Sequence, residues 1–427
     1  MKFFHLSDLH IGKQLHHYSL REDQEAVLGE IVAYAASIRP DAIVIAGDIY
    51  DRSVPSAEAV TLFDWFLTRL SEITPVIPIL IISGNHDSGE RLEYAAEILR
   101  KHHIYLAGSA PRDAAERVRK VTLEDAYGEV DFYLLPFMKP SYVRNVFEED
   151  APETYTDAVG KILERERIDF GNRRNVLVSH QFYTGTIKGC VPGNSDGGVN
   201  AGKISECESV SDSHGISDDG ERTDGPREVA YPSICDSEMI SVGGIENVDV
   251  SAVKDFDYVA LGHLHGPQNI TGPHIRYCGT LLKYSVSECG HEKTLTVVTL
   301  KAKGDEPLIE LMPLHPLRDV RKKTGRLKEI IEQAAEDERG DFISVTLTDE
   351  VDPYKPKEQL EKVFDHILEV CVDNMRTRTK LSELDEELVM KGPMENFADF
   401  YQEMQGRTLN EEEYEMMCQI FEQVKEG

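Results

Sequence analysis

Asp, Asn and His, the side chains that ligate hard and borderline cations, recur in short motifs along the first 265 positions. In order they are Asp8 and His10 in SDLHIG, Asp48 in AGDIYDR, Asn85, His86 and Asp87 in SGNHDS, His180 in VSHQ, and His263 and His265 in ALGHLHGP. Carboxylate, carboxamide and imidazole donors suit manganese, iron or zinc. Gathered into one cleft without a cation, they would leave unbalanced charge and unsatisfied polar atoms. Two cations about 3.5–4 Å apart would remove that cost, and such a pair clamps the attacking and leaving oxygens of a phosphoryl displacement. One carboxylate must then be shared between the ions, and Asp48, anionic and central in the order, suits that place. A lone Asp-x-His or His-x-His is common by chance and usually marks a solvated turn. Five motifs in succession, each closing an apolar run, are far more specific.

The segments before these motifs explain how they could meet. KFFHLSD, DAIVIAGD and PVIPILIISGNHD are apolar runs of the kind found in strands covered on both faces. Helical segments separate them: EDQEAVLGEIVAYAASI, with Ala26, Ile31, Tyr34 and Ala35 toward the core; SAEAVTLFDWFLTRL, entered through Pro55; and RLEYAAEILRKH. Alternating strands and helices predict an α/β sheet with helices on its faces. VDFYLLPF, NVLVSH, FDYVALGH, TLTVVTL and LIELMPL are further strands. Ligands of such sheets bind in the crevice at the carboxyl ends of the strands, where all five motifs fall. His5, three residues before Asp8, is expected on the other face of its strand. The pairs His16–His17 and His102–His103 lie away from strand ends and read as solvated.

The order Asp-x-His, Gly-Asp, Gly-Asn-His-Asp, a single His after a strand and Gly-His-x-His resembles the calcineurin-like metallophosphoesterases. HLSDLHIGK, GDIYDRSVPSAEAV, ISGNHDS and DFDYVALGHLHGPQ are more specific. They resemble the family's double-strand-break nucleases, well over residues 1–300 and by layout beyond. The resemblance implies a sheet sandwich with helices on its faces, followed by a small α+β capping domain and a helical tail. It implies one metal held by Asp8, His10, Asp48 and His265, and another held by Asp48, Asn85, His180 and His263. His86 would face the scissile phosphate, to stabilise the transition state or protonate the leaving oxygen, with Asp87 as its supporting partner. The usual metal of the family is manganese. The implied activity is DNA exonuclease and endonuclease in repair, as a homodimer joined to a coiled-coil ATPase. Asp51 and Arg52 follow a phosphatase-like Gly-Asp-x-x-Asp-Arg pattern, in which the arginine caps structure or steers DNA.

At 427 residues the chain is long enough for two or three units. The expected division is 1–316 for the phosphoesterase, 317–380 for the capping domain and 381–427 for the tail. Segment 189–230, rich in Gly, Ser and Asp, reads as a mobile insert. GRLKEIIEQAAEDE and KEQLEKVFDHILEV are expected helices, the second with Leu360, Val363, Phe364, Ile367 and Leu368 on one stripe. DFISVTL is an expected strand. The tail carries stripes at Phe397, Phe400, Tyr401 and Met404 and at Tyr414, Met417, Cys418 and Phe421, with Asn410 as an N-cap. Seven scattered cysteines without Cys-x-x-Cys suit a reducing cytoplasm, and neither an export signal nor an apolar membrane span is apparent. The net charge of −31 argues against a surface coated for phosphate-backbone binding. DNA contact must then rely on local cations such as those of RDVRKKTGR, on metals or on the partner. Two other readings keep part of the pattern: a phosphatase or cyclic phosphodiesterase for a small substrate, and a scaffold that only binds the ATPase.

Overall fold

The computed structural model describes residues 1–147, 150–187, 228–230, 235 and 247–374, together with 397–398, 401–402, 407–410, 413–414 and 416–417. The chain divides into two compact units, Met1–Val320 and Arg321–Gly427, with the break just past the expected residue 316. The insert read over 189–230 lies outside the described residues except for 228–230, as does most of 381–427. No helix among the described residues is long and apolar enough to cross a membrane.

The first unit begins β1 (Lys2–Leu6), α1 (Arg21–Ile38), β2 (Ala42–Ala46), α2 (Ala57–Ser71), β3 (Ile79–Ile82) and β4 (Ile104–Ala107). It continues through β5 (Arg119–Asp125), β6 (Gly128–Leu135), α3 (Tyr155–Arg165), β7 (Arg174–Ser179) and β8 (Tyr258–Leu261). Strands β9 (Gln268–Asn269), β10 (Ile275–Tyr277), β11 (Thr294–Thr299) and β12 (Leu308–Pro313) complete it. Two six-stranded sheets result, in the orders β12-β11-β1-β2-β3-β4 and β9-β10-β8-β7-β6-β5. Strands β1 to β4 are parallel, as are β6, β7, β8 and β10, with antiparallel strands at the edges.

The sheets pack face to face. Phe3, Val44, Ala46, Leu80 and Ile82 from one meet Val130, Phe132, Val176, Val178, Tyr258 and Ala260 from the other in one buried cluster. The alternate residues Phe4, Ile43, Ile45, Ile79 and Ile81 are equally buried. They face the side that right-handed β-α-β crossovers assign to α1 and α2. Both faces of each central strand are therefore apolar, so these strands read as unbroken runs rather than alternating ones. In the second sheet Leu177, Val259 and Leu261 pack with Val159 and Ile162 of α3. The predicted sandwich with helices on its outer faces is the fold of this unit.

Local differences from the sequence reading have local causes. The buried stripe of α1 is Val27, Leu28, Ile31 and Ala35, and Ala26 and Tyr34 are only half-buried. Ser56 caps α2 by accepting the Ala59 N–H, one residue after the expected entry at Pro55. The single helix expected over RLEYAAEILRKH is two short ones, Gly89–Leu92 and Ala96–Arg100, interrupted at Ala95 with φ 63°.

The second unit has a three-stranded sheet, ordered β13 (Val320–Gly325), β14 (Phe342–Leu347) and β15 (His366–Val372). Here one expected helix is wrong. Segment 357–370 forms a short helix, Pro356–Leu360, then turns into β15, which pairs in parallel with β14. Leu360, Phe364 and Ile367 are buried in either arrangement, so helical spacing does not separate the two. Pairing with Ile343, Val345 and Leu347 decides in favour of the β-branched strand Ile367–Val372. The helix at GRLKEIIEQAAEDE shortens to Leu327–Glu332. Farther on, Asn410 accepts the Glu413 N–H at 2.8 Å while Glu413 reaches back to the Asn410 N–H at 3.0 Å, a reciprocal cap at the expected position. Phe400, Met404, Cys418 and Phe421 of the tail stripes lie outside the described residues.

Candidate metal centre

The carboxyl ends of β1, β2 and β3 in one sheet and of β7 and β8 in the other open toward the same place. Each strand ends in a tight departure. Asp8, His10, Asp48 and His263 all have positive φ, at 53°, 42°, 51° and 109°. Non-glycine residues adopt that region at a cost of about 1–3 kcal/mol each, and such strain clusters where side chains must be aimed. The glycines of the motifs have steric reasons. A Cβ on Gly84 would fall 2.1 Å from the Asp48 carboxylate, and one on Gly262 would fall 2.0 Å from the Ala46 carbonyl oxygen. Gly-Asn-His and Gly-His-x-His are thus requirements of two sheets meeting edge to edge.

Asp48 is the hub. Its Oδ1 accepts the His86 N–H at 2.9 Å. Its Oδ2 lies 3.6 Å from His10 Nε2, 3.4 Å from His180 Nε2 and 4.0 Å from His86 Nε2. One potential ligand group is Asp8, His10 and His265, whose donor atoms lie within 4.8 Å of one another; Asp8, Asp48 and His180 form another. Asn85 Oδ1 sits 3.1 Å from His180 Nε2 and 3.0 Å from His263 Nδ1. All of the sequence-predicted donors therefore meet in one cleft, with Asp48 between two sets. Asp8, His10, Asp48, His180 and His265 are buried, whereas the His86 side chain is 41% exposed.

The electrostatics fit cation binding. Burial holds His10 well below the usual histidine range, and burial plus the neighbouring His180 lowers His263 to about 3. Both are neutral, as coordination requires. Burial disfavours the Asp48 carboxylate, yet His180 and His10 outweigh it and hold its pKa well below normal. Burial opposes a charged His180, but Asp48 raises it to about 9. Without metal, the His180 imidazolium supplies the charge Asp48 needs; a bound cation would take over that role and release the proton. Both ring nitrogens of His10 are buried with no hydrogen-bond partner. Such orphaned atoms are costly in a protein interior unless a ligand completes them. The donor set fits divalent cations.

The supporting groups differ in part from expectation. Asp87 does not touch the His86 ring. Its carboxylate accepts the N–H groups of Ile49 (3.0 Å), Tyr50 (3.0 Å) and Gly84 (2.9 Å), tying the loop that carries Asp48 to the loop that carries Asn85. Burial and nearby Asp48 raise its pKa to about 6. The His86 ring is instead oriented by the Asp51 carbonyl, 2.9 Å from Nδ1. Asp51 itself takes Lys13 Nζ at 2.9 Å, and Arg52 is 82% exposed. His5 is a core residue between the sheets, with its ring nitrogens at the Tyr258 hydroxyl and the Leu261 carbonyl. His16, His17, His102 and His103 are exposed.

Two supporting residues escaped the sequence reading. Gln24 donates to the His10 carbonyl at 2.8 Å. Glu288 lies 3.5 Å from His265 Nδ1 and 2.6 Å from Lys293 Nζ, and is fully buried. Burial pushes its carboxyl up, but His265 and Lys293 more than offset this and hold it low. A His ligand ordinarily needs such an outer partner, but no local pattern in SVSECG reveals it. Glu288 also approaches Cys235 and His291, where the Lys293 ammonium already supplies the balancing charge.

A sandwich of two mixed sheets with Asp, Asn and His at five strand ends defines a metallophosphoesterase. A model of the calcineurin-like phosphoesterase family matches residues 1–267, and the chain belongs to that family. A second model, of the type 5 capsule protein repressor C-terminal domain, matches residues 313–405. The chain is similar to the SbcD subunit of the nuclease SbcCD from Staphylococcus epidermidis, at 29% identity over 93% of this chain and 94% of the relative. It is also similar to the protein of that name from Staphylococcus saprophyticus, at 31% identity over 79% of this chain and 75% of the relative. The chain is accordingly a phosphodiester hydrolase that binds divalent metal.

Proposed function

We propose that this chain is the nuclease subunit of an SbcCD-type complex, cleaving DNA with the help of two divalent cations, most simply manganese. The observation that carries the reading is the meeting of donors from five strand ends around Asp48, with both His10 nitrogens buried and unpartnered. Asp8, His10, Asp48 and His265 would hold one ion, and Asp48, Asn85, His180 and His263 the other. Bound there, the pair would supply Lewis acidity and an activated water. His86, half-exposed and with Nδ1 directed at the Asp51 carbonyl, turns Nε2 toward the cleft. There it can protonate the leaving oxygen or hydrogen-bond the developing charge. Exonuclease action on duplex ends and endonuclease action on hairpins or single strands are both within this chemistry.

Relatives named as the SbcD component of SbcCD support an SbcC-type coiled-coil ATPase partner, with a homodimer of this chain inside a heterotetramer in the cytoplasm. Residues 317–380 are assigned to capping and DNA contact, and 381–427 to docking on the ATPase. The basic run favours DNA contact less than expected. Arg321 pairs with Asp341 and Glu338, Lys323 also pairs with Glu338, and Lys322 alone in that strand is fully exposed.

The test is cleavage of linear duplex and hairpin DNA with manganese, with magnesium and with chelator. Cleavage restored by manganese after chelation is expected; hydrolysis of small phosphodiesters with no cleavage of either DNA would sink the assignment. In a pull-down with an SbcC-type ATPase, the full chain should bind, and a chain lacking 395–427 should not.

A further inference from the structure

A cleft of about 1040 Å³ opens beside the metal centre, with Asn85 and His263 among its lining residues. Its other wall is the segment after β6, including Phe137, Lys139 and Tyr142. Two hydrogen bonds fix that segment against the metal-binding loops. The Phe137 N–H donates to the Ser83 carbonyl at 3.0 Å, two residues before Asn85. Gln181, next to His180, donates its side-chain amide to the Met138 carbonyl at 2.9 Å. Lys139 directly follows these anchors. The turn Pro140–Tyr142, closed by the Tyr142 N–H on the Lys139 carbonyl at 2.9 Å, then sets the Tyr142 ring on the same segment.

Two features of this wall have no structural explanation within the unit. Elsewhere in the unit, partly buried lysines meet carboxylates: Lys13 with Asp51, Lys161 with Asp157, Lys283 with Asp319, Lys293 with Glu288 and Lys303 with Asp257. Lys139 is half-buried, yet among the described residues no ion pair is made to it, in a chain of net charge −31. Arg112, which also lines the cleft, is already paired with Glu90 at 3.2 Å. Tyr142 leaves 54% of its surface exposed although its segment is tied down on both sides. A held cation next to a held, exposed ring is the chemistry of a single-stranded nucleotide site, phosphate on the ammonium and base on the ring.

We propose that Lys139 and Tyr142 form a nucleotide subsite flanking the metal centre: Lys139 takes the phosphate next to the scissile one, and Tyr142 stacks on an unpaired base. This rests on the nuclease reading above and names the part of the surface that engages the strand. It also accounts for how so acidic a protein grips DNA near the chemistry, through one unpaired cation placed against the metals.

The experiment compares the full chain with Lys139→Ala, Lys139→Arg, Tyr142→Ala and Tyr142→Phe, in manganese. One substrate is a fluorescein-labelled single-stranded oligonucleotide; the other is bis(p-nitrophenyl) phosphate, too small to span the subsite. Tyr142→Ala should raise KM for the oligonucleotide about 5- to 150-fold, the range that 1–3 kcal/mol of stacking implies. Lys139→Ala should weaken binding and lower the salt dependence of log K by roughly 0.7, one phosphate contact on a single strand. Tyr142→Phe and Lys139→Arg should retain most of the wild-type affinity. All four should hydrolyse the small diester at the wild-type rate. Wild-type KM and salt slope in both alanine variants would overturn the subsite, and so would an equal loss on both substrates, which would place the residues in support of the metals. A wild-type chain that cleaves the small diester but not the oligonucleotide would overturn the nuclease reading itself, and the subsite with it.

Discussion

Glu288 offers the sharpest test of how the metal centre is supported. Its side chain is fully buried, faces Lys293 Nζ at 2.6 Å with the lysine side chain only 3% exposed, and lies 3.5 Å from His265. Its oxygens also take the Tyr284 N–H at 3.2 Å and the Ser285 hydroxyl at 3.0 Å. Glu288→Gln preserves shape but turns an amide N–H₂ or a neutral oxygen toward a buried ammonium. Removing one partner of a buried pair costs about 3–5 kcal/mol, because the remaining charge is left uncompensated. The second consequence reaches the metal. A His ligand that loses its outer carboxylate binds about 10–100-fold more weakly. Stability is read by urea denaturation of chelated protein, followed by fluorescence of Trp65, the only tryptophan and a residue of α2. Affinity is read by calorimetric titration with manganese. Glu288→Gln combined with Lys293→Met should recover much of the stability, since no charge is left unpaired, but not the affinity. A loss below about 1 kcal/mol, the value of an exposed pair, would mean that the pair is solvated and that this account of the site is wrong. So would a double variant no more stable than Glu288→Gln alone.

The other predictions concern the donors and the scaffold. Asp48→Asn should lower both metal content and DNA cleavage, because one residue serves both sets of donors; metal analysis after dialysis checks this. His86→Ala should keep the metals and lose about 10²–10⁴-fold in cleavage, and a fall in metal content would contradict its role as a proton donor. Gly262→Ala should cost about 1–3 kcal/mol and loosen the His180 loop, since its Cβ would lie 2.0 Å from the Ala46 oxygen and 2.7 Å from His180 Nδ1. Arg173 grips Asp131 through two bonds of 2.6 Å; burial raises the Asp131 pKa, but Arg173 outweighs it and holds the pKa low. A depressed carboxylate contributes stability above its unfolded value of 3.8 and loses it as pH falls. Arg173→Gln should therefore cost about 1.5–3 kcal/mol at neutral pH, with the gap to wild type closing as pH drops below about 4 in a denaturation series.

The donors and their order were legible because each sits at the end of a strand whose two faces are both covered. Such strands announce themselves as apolar runs, and whatever polar residue closes one stands out, as Asp48 does after DAIVIAG. The sandwich followed from the same runs, and the capped turn at Asn410 from local chemistry between that residue and Glu413. Segment 357–370 was not legible in this way. Leu360, Phe364 and Ile367 satisfy helical spacing and a strand's buried face alike, and the choice belongs to β14, more than ten residues away. Asp87 has the chain position of a partner for His86, yet its carboxylate turns to the backbone of Ile49, Tyr50 and Gly84. Glu288 and Lys139 carry no motif.

Residue type, spacing and the apolar runs are properties of neighbours along the chain, so they were enough to name the donors, the kind of cation and the sheet architecture. Which donor faces which, which carboxylate props which histidine, and where an unpaired lysine meets the cleft depend on two sheets closing against each other. That closure brings Asp8 to His263 across more than 250 residues, the main-chain N–H of one held by both carboxylate oxygens of the other at 3.1 Å. Contacts at such separations are set by the packing of whole elements, which local sequence does not record.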